Sequence, residues 1–156
     1  MDIQYLKVMK NNPLVGEEEN EGITKQQITE MEAFANHKFP DAYREFLYLG
    51  GHNNNVTQFS DSSSYLFYQK LRKSVNLVLQ EDDFKIEKDF WVVAALDGGQ
   101  QFDFFFYDEG ENPPIYYYCS YLGEFDDNIS GEGPGIKKIS DSFTKYVEKR
   151  IKAHKS

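Results

Sequence analysis

Apolar side chains between residues 23 and 51 recur every third or fourth position. Ile28, Met31, Phe34 and Ala35 share one side of a 3.6-residue spiral, with Gln27, Glu30, Glu32 and Asn36 largely outside it. Thr24 with Gln27 three residues on is a capping box, and Ile23 with Ile28 can close a hydrophobic staple, so the pattern predicts a helix from Thr24. Phe39 precedes Pro40 and is pushed toward extended backbone, which ends that helix before it. Pro40 suits the first turn of a second helix with Tyr43, Phe46 and Leu47 as its stripe, and Gly50 and Gly51 are expected to stop it with positive φ. Two short amphipathic helices cannot bury both stripes alone; they need a sheet beneath them.

The rest of the chain supplies one. Residues 90–96, 102–107 and 115–121 are apolar or aromatic runs of strand length, separated by Asp97-Gly98-Gly99 and by residues 108–114. Short glycine-bearing gaps predict antiparallel hairpins and a meander. Alternation places Phe102, Phe104 and Phe106 on one face, and Asp103, Phe105 and Tyr107 on a mixed face that helices leave less covered. Around this sheet, Ile3, Leu6 and Met9 predict a short first helix, and residues 11–22, with Glu17 to Glu19 acidic, a polar loop. Residues 52–64 read as an exposed loop with a short strand at 56–59. Ser62 to Ser64 would cap a helix carrying Phe67, Leu71, Val75 and Val78 inward. Residues 122–138 read as a glycine-rich acidic connection, and Ser140 as the cap of a last helix with Asp141 in its first turn and Phe143, Val147 and Ile151 on its stripe. The expected class is α+β: an antiparallel meander with helices packed mainly on one face, in a single domain spanning residues 1–156.

These blocks resemble a known family. Ile23-Thr24, Glu32, Phe39-Pro40, Tyr43, Phe46-Leu47 and Gly50-Gly51 are similar to the opening signature of the SUKH superfamily. Asp97-Gly98-Gly99, and Ile139 with Ser142-Phe143 before the last helix, resemble its later blocks, so the resemblance covers residues 12–151. Phe39 stands where the family favours leucine, and Leu49 where it often has asparagine. The superfamily includes bacterial immunity proteins of polymorphic toxin systems and fungal cell-wall assembly regulators of the Smi/Knr type. The resemblance implies a non-catalytic domain that binds a protein: a toxin such as a nuclease or deaminase in the first case, a regulatory partner in the second.

Composition narrows the partner. A hydrophobic content of 40% excludes disorder of the whole chain, and 13 Phe and 11 Tyr against one Trp predict a core of rings on a sheet. The formal charge of −9 disfavours nucleic acid, whose phosphates are met by Lys and Arg, and favours a protein with a basic surface. From Phe143 onward there are five basic residues and one acidic one, leaving 12 basic against 25 acidic before it. No apolar run reaches signal-peptide or membrane-span length, so a cytoplasmic protein is expected, with no membrane partner. The charge and composition leave the oligomeric state open.

No catalytic, cofactor or metal residues are expected. His37, His52 and His154 lack metal-ligand spacing, and the lone Cys119 reads as a small hydrophobe in a strand. Residues 126–131 match the first places of a calcium loop, but the twelfth place is Lys137 where a bidentate Glu is needed. Acid/base use of Asp97 and Asp103 rests on abundance alone, with a solvated acidic surface the default. A hydrolase is therefore the least supported reading. The residues expected at a partner surface are acidic loops beside sheet aromatics: Glu81, Asp82 and Asp83; Asp108, Glu109 and Glu111; Glu124, Asp126 and Asp127; and Phe105, Tyr107, Tyr116 and Tyr118.

Overall fold

The computed structural model describes residues 1–15, 18–57, 60–129 and 131–155. Expectations that fall on Glu17, Phe59, Ser130 and the His154 side chain lie outside the described residues. The elements in chain order are α1 (Lys7–Lys10), β1 (Leu14–Val15), β2 (Glu18–Glu19), α2 (Lys25–Ala35), α3 (Asp41–Gly50), β3 (Asp61–Ser62), α4 (Tyr68–Glu81), β4 (Phe90–Leu96), β5 (Gln101–Phe106), β6 (Ile115–Cys119), β7 (Gly135–Ser140) and α5 (Phe143–Lys155). Strands β3 to β7 form one sheet in chain order with every neighbouring pair antiparallel, so the fold is α+β around a five-stranded meander.

The helix pair follows its local grammar. Thr24 accepts from the Gln27 backbone N–H while the Gln27 side chain accepts from the Thr24 N–H, and α2 ends at Asn36 in the left-handed conformation. Glu32 accepts the Phe39 N–H at 2.7 Å and stands 3.8 Å from Arg44 Nε, tying the end of α2 to α3. Tyr43, Phe46 and Leu47 are buried, and Tyr43 accepts the Trp91 indole N–H at 2.7 Å, joining α3 to β4. Gly50 and Gly51 correct the expectation of positive φ, because Gly51 has φ −66° and neither glycine is left-handed. Their role is close approach: a Cβ on Gly50 would come within 2.7 Å of Asn54 and Met9, and one on Gly51 within 2.6 Å of the Leu47 carbonyl. Phe34 is the exception on the α2 stripe; it is 46% exposed, with its ring edge-on to Tyr68.

Both faces of the sheet are closed. Trp91, Val93, Phe105 and Ile115 meet the buried side chains of α1, α2, α3 and α5, whereas Val92, Phe102, Phe104 and Tyr118 meet Leu71, Val75, Val78 and Leu79 of α4. The mixed face thus carries four of the helices, and the all-phenylalanine face carries one. Asp103 makes the mixed face tolerable, because its carboxylate is met by Tyr146 Oη at 2.7 Å and Arg150 Nη2 at 2.6 Å, both from α5.

Several boundaries depart from expectation. The segment before α2 contains the small hairpin β1–β2, and the end of the expected 122–138 connection, together with Ile139 and Ser140, forms the edge strand β7 paired with β6. The helix α4 starts at Tyr68 with no side-chain cap; Ser63 donates to the Val92 carbonyl, and the Ser64 carbonyl accepts from Phe67 and Tyr68 N–H. Phe67, assigned inward by spacing, is 57% exposed, and Tyr68 is buried in its place. Ser142, two residues later than Ser140, caps α5 by accepting the Lys145 N–H at 3.1 Å, while Asp141 pairs with Lys138 and Lys145.

Candidate partner-binding surface

The acidic and aromatic residues expected at one surface divide into three groups. Phe105 and Tyr118 are core: both are fully buried, and they point to opposite faces of the sheet, Phe105 toward the four-helix side and Tyr118 toward α4. Both are packed in the core and do not stand on a less covered face, which corrects that expectation, although Tyr118 Oη reaches the Asp82 corner. Alternation alone misplaced them because it counts a face as open unless a second helix layer is known to cover it.

A second group lies around the hairpin between β5 and β6, where carboxylates serve the fold. Glu111 accepts the Asp41 N–H at 2.8 Å and its carbonyl accepts the Ala42 N–H at 2.9 Å, so it caps α3 from a distant segment at an N-terminus where Pro40 supplies no side-chain oxygen. Glu109 accepts from Tyr116 Oη at 2.9 Å; burial first, and then this bond, raise the Tyr116 pKa. Asp108 pairs with Lys88 at 2.9 Å, and the Lys88 ammonium lies 4.4 Å above the Phe106 ring. Tyr107 is half-buried, stacked at 4.1 Å on His37, whose Nε2 is 2.8 Å from Asp89.

The third group sits at the other end of β5 and β6, on either side of the exposed Phe125 in the chain. Asp82, just past α4, accepts from Tyr118 Oη and from Ser120 Oγ at 2.6 Å, which anchors the Glu81, Asp82 and Asp83 corner to the residue after β6. Asp83 occupies the left-handed region at φ 49°, and Glu81 and Asp83 are exposed. Next in the chain, Tyr121 Oη donates to Asp97 at 3.2 Å and accepts from Gln101 at 2.8 Å. Tyr121 also carries Phe125 edge-on at 5.8 Å. Phe125 is 74% exposed between Glu124 and Asp126, with Asp127 following; Glu124 and Asp127 are exposed and Asp126 accepts the Asn128 N–H in a local turn. Leu96, exposed at the end of β4, precedes Asp97. The result is a rim of carboxylates around one large uncovered ring.

Sequence reasoning did not single out Phe125. Its signal was available: a lone aromatic between carboxylates, in a connection without hydrophobic period, has no core stripe to join. Nor did it single out Glu45, which is buried and accepts the N–H groups of Gln4, Tyr5 and Leu6 at 3.1, 2.9 and 3.0 Å, docking the N-terminal segment onto α3. Asp103 and Asp97, once weighed together as carboxylates, serve different neighbourhoods, α5 and the Tyr121 cluster. Among the described residues no three His, Cys, Asp or Glu side chains gather as metal ligands, and no helix is long and apolar enough to cross a membrane. Cys119 is buried in β6.

A five-stranded antiparallel meander with helices on both faces, four of them on one, defines a small α+β domain. The chain belongs to the SMI1 / KNR4 family (SUKH-1), whose model matches residues 22–149. No curated protein matches the chain. Membership is consistent with an immunity-type, protein-binding domain.

Proposed function

We propose that this chain is an immunity protein of a polymorphic toxin system, a non-catalytic domain that binds a cognate toxin with a basic surface, such as a nuclease or deaminase, and occludes its active site in the cytoplasm. Exposed Phe125 within Glu124, Asp126 and Asp127 carries the reading. A ring that buries on contact supplies affinity, and the surrounding carboxylates supply the charge that a nucleic-acid-binding cleft is built to accept. Glu81, Asp83 and Asp97 extend the acidic rim along the corner fixed by Asp82 and Tyr121. Glu111, Glu109 and Asp108 have structural partners, so the proposed contact is confined to the other end of the sheet.

The test is co-expression with the protein encoded beside this gene. Rescue of growth and a co-eluting complex are expected, with Phe125→Ala weakening the complex by roughly tenfold or more at unchanged stability. Absence of rescue and of a complex would count against toxin neutralisation. A complex with a non-toxic neighbour would move the reading to a regulatory scaffold that uses the same rim.

A further inference from the structure

On the side of the molecule defined by α4, the charge is reversed. Phe34 from α2 and Leu77 from α4 are 46% and 51% exposed and line one shallow groove of about 630 Å³, with Lys70, Arg72, Lys73 and Asn76 around them. Exposed single apolar residues are ordinary; two large ones sharing a groove with three cations are not. None of these cations has an ion pair among the described residues, in a chain of 26 acids and 17 bases. Arg72 is held in place: Nε donates to Asn76 at 3.0 Å, Nη1 donates to the Phe90 carbonyl at 2.7 Å, and the guanidinium lies 3.9 Å above the Phe90 ring. Its Nη2 has no partner among the described residues, so one face of a positioned fork remains for an incoming oxygen. Asp89, which contacts His37, also acts on the Arg72 charge without forming an ion pair with it; Glu30 of α2 accepts from Tyr65, and Glu81 ends α4 one turn past Leu77.

We infer that this groove is a second docking surface, for a protein segment that carries carboxylates on either side of a bulky apolar side chain. The apolar side chain packs between Phe34 and Leu77, and the carboxylates reach Arg72 Nη2 and the ammonium groups of Lys70 and Lys73. The site is independent of the Phe125 rim and demands the opposite charge in its partner. A domain with both surfaces can hold a basic protein at one and an acidic segment at the other.

Backbone amide NMR of the full chain, titrated with short synthetic peptides, tests it. A peptide of Glu and Leu should shift amides of α4 and of Phe34 selectively, a Lys and Leu peptide should not, and an all-Glu peptide should bind about tenfold more weakly for want of the anchor. Lys70→Glu with Lys73→Glu, on the exposed side of α4, should keep the spectrum of the folded chain and weaken the Glu and Leu peptide about tenfold, as should Leu77→Ala. Phe125→Ala should leave this binding unchanged, which separates failure here from failure of the toxin-binding reading. The inference is overturned if the peptide does not bind, if shifts fall elsewhere, or if the Lys and Leu peptide binds as well. It is also overturned if a single-stranded DNA oligomer shifts the same amides as strongly, or if they move with protein concentration alone, which would mean that a nucleic acid or a second copy is the occupant.

Discussion

Carboxylates in the body of this protein and carboxylates on its rim are the same chemical groups put to different ends. Around the helix pair, Glu32, Glu45 and Glu111 each accept backbone N–H groups that would otherwise lack a partner, and Asp103 meets Tyr146 and Arg150 under α5. Around Phe125, Glu124 and Asp127 are exposed. What separates the two sets is the presence of an unsatisfied donor within reach. A carboxylate beside a helix start or a buried hydroxyl is recruited by the fold, and one in a connection with no such donor stays available to a partner.

That contrast can be broken by substitutions that should sort cleanly into stability and binding. Trp91→Ala should have the largest effect, about 3–5 kcal/mol of stability by chemical denaturation, because it removes a buried ring and the N–H bond to Tyr43. Asp103→Ala should cost about 3 kcal/mol, since it strands a buried Tyr146 hydroxyl and a partly buried Arg150. Glu45→Ala should cost about 2 kcal/mol and increase amide exchange at Gln4, Tyr5 and Leu6, whose N–H groups lose their acceptor. Phe125→Ala should change stability by less than about 0.5 kcal/mol. A large loss of stability at Phe125, or none at Glu45, would erase the distinction between rim and body.

The pH dependence sharpens the same point. Burial raises the Asp103 carboxyl above its ordinary range, outweighing the hydrogen bond from Tyr146 and the charge of Arg150. A raised folded-state pKa makes the protonated acid the form that folding favours. This contribution is full below the unfolded pKa of about 3.9 and is lost as pH rises through the folded value. Asp103→Asn cannot ionise, so the melting temperature of the wild type relative to this variant should fall as pH rises across that window. A difference that instead grows with pH would mean that Arg150 dominates over burial.

Local signals carried the helix pair almost completely. Thr24, Gln27, Ile28 and Met31 act as their spacing says, because a capping box and a helical stripe are complete within a few residues. The family blocks were legible for a related reason: Glu32, Tyr43 and Gly50 are each demanded by a contact within or directly beneath that pair. Less was legible at Phe34, Phe67 and Ser140, where spacing was right to within a residue or a turn and a neighbouring element decided which residue is buried or caps. Strand β7 was hidden because Gly135, Lys137 and Lys138 have little strand character, and an edge strand needs only one good neighbour.

Period, caps and turn residues were enough to specify α2, α3, the three central strands of the antiparallel meander and a ring-rich interior, since each of those depends on residues close together in the chain. Which aromatic rings are core and which acids are free came only with the packing of α4 and α5 against opposite faces of the sheet. Burial and hydrogen-bond satisfaction are properties of neighbours brought together from distant segments: Glu111 finds Asp41, Asp103 finds Arg150, and Phe125 finds Tyr121 while most of its ring stays uncovered.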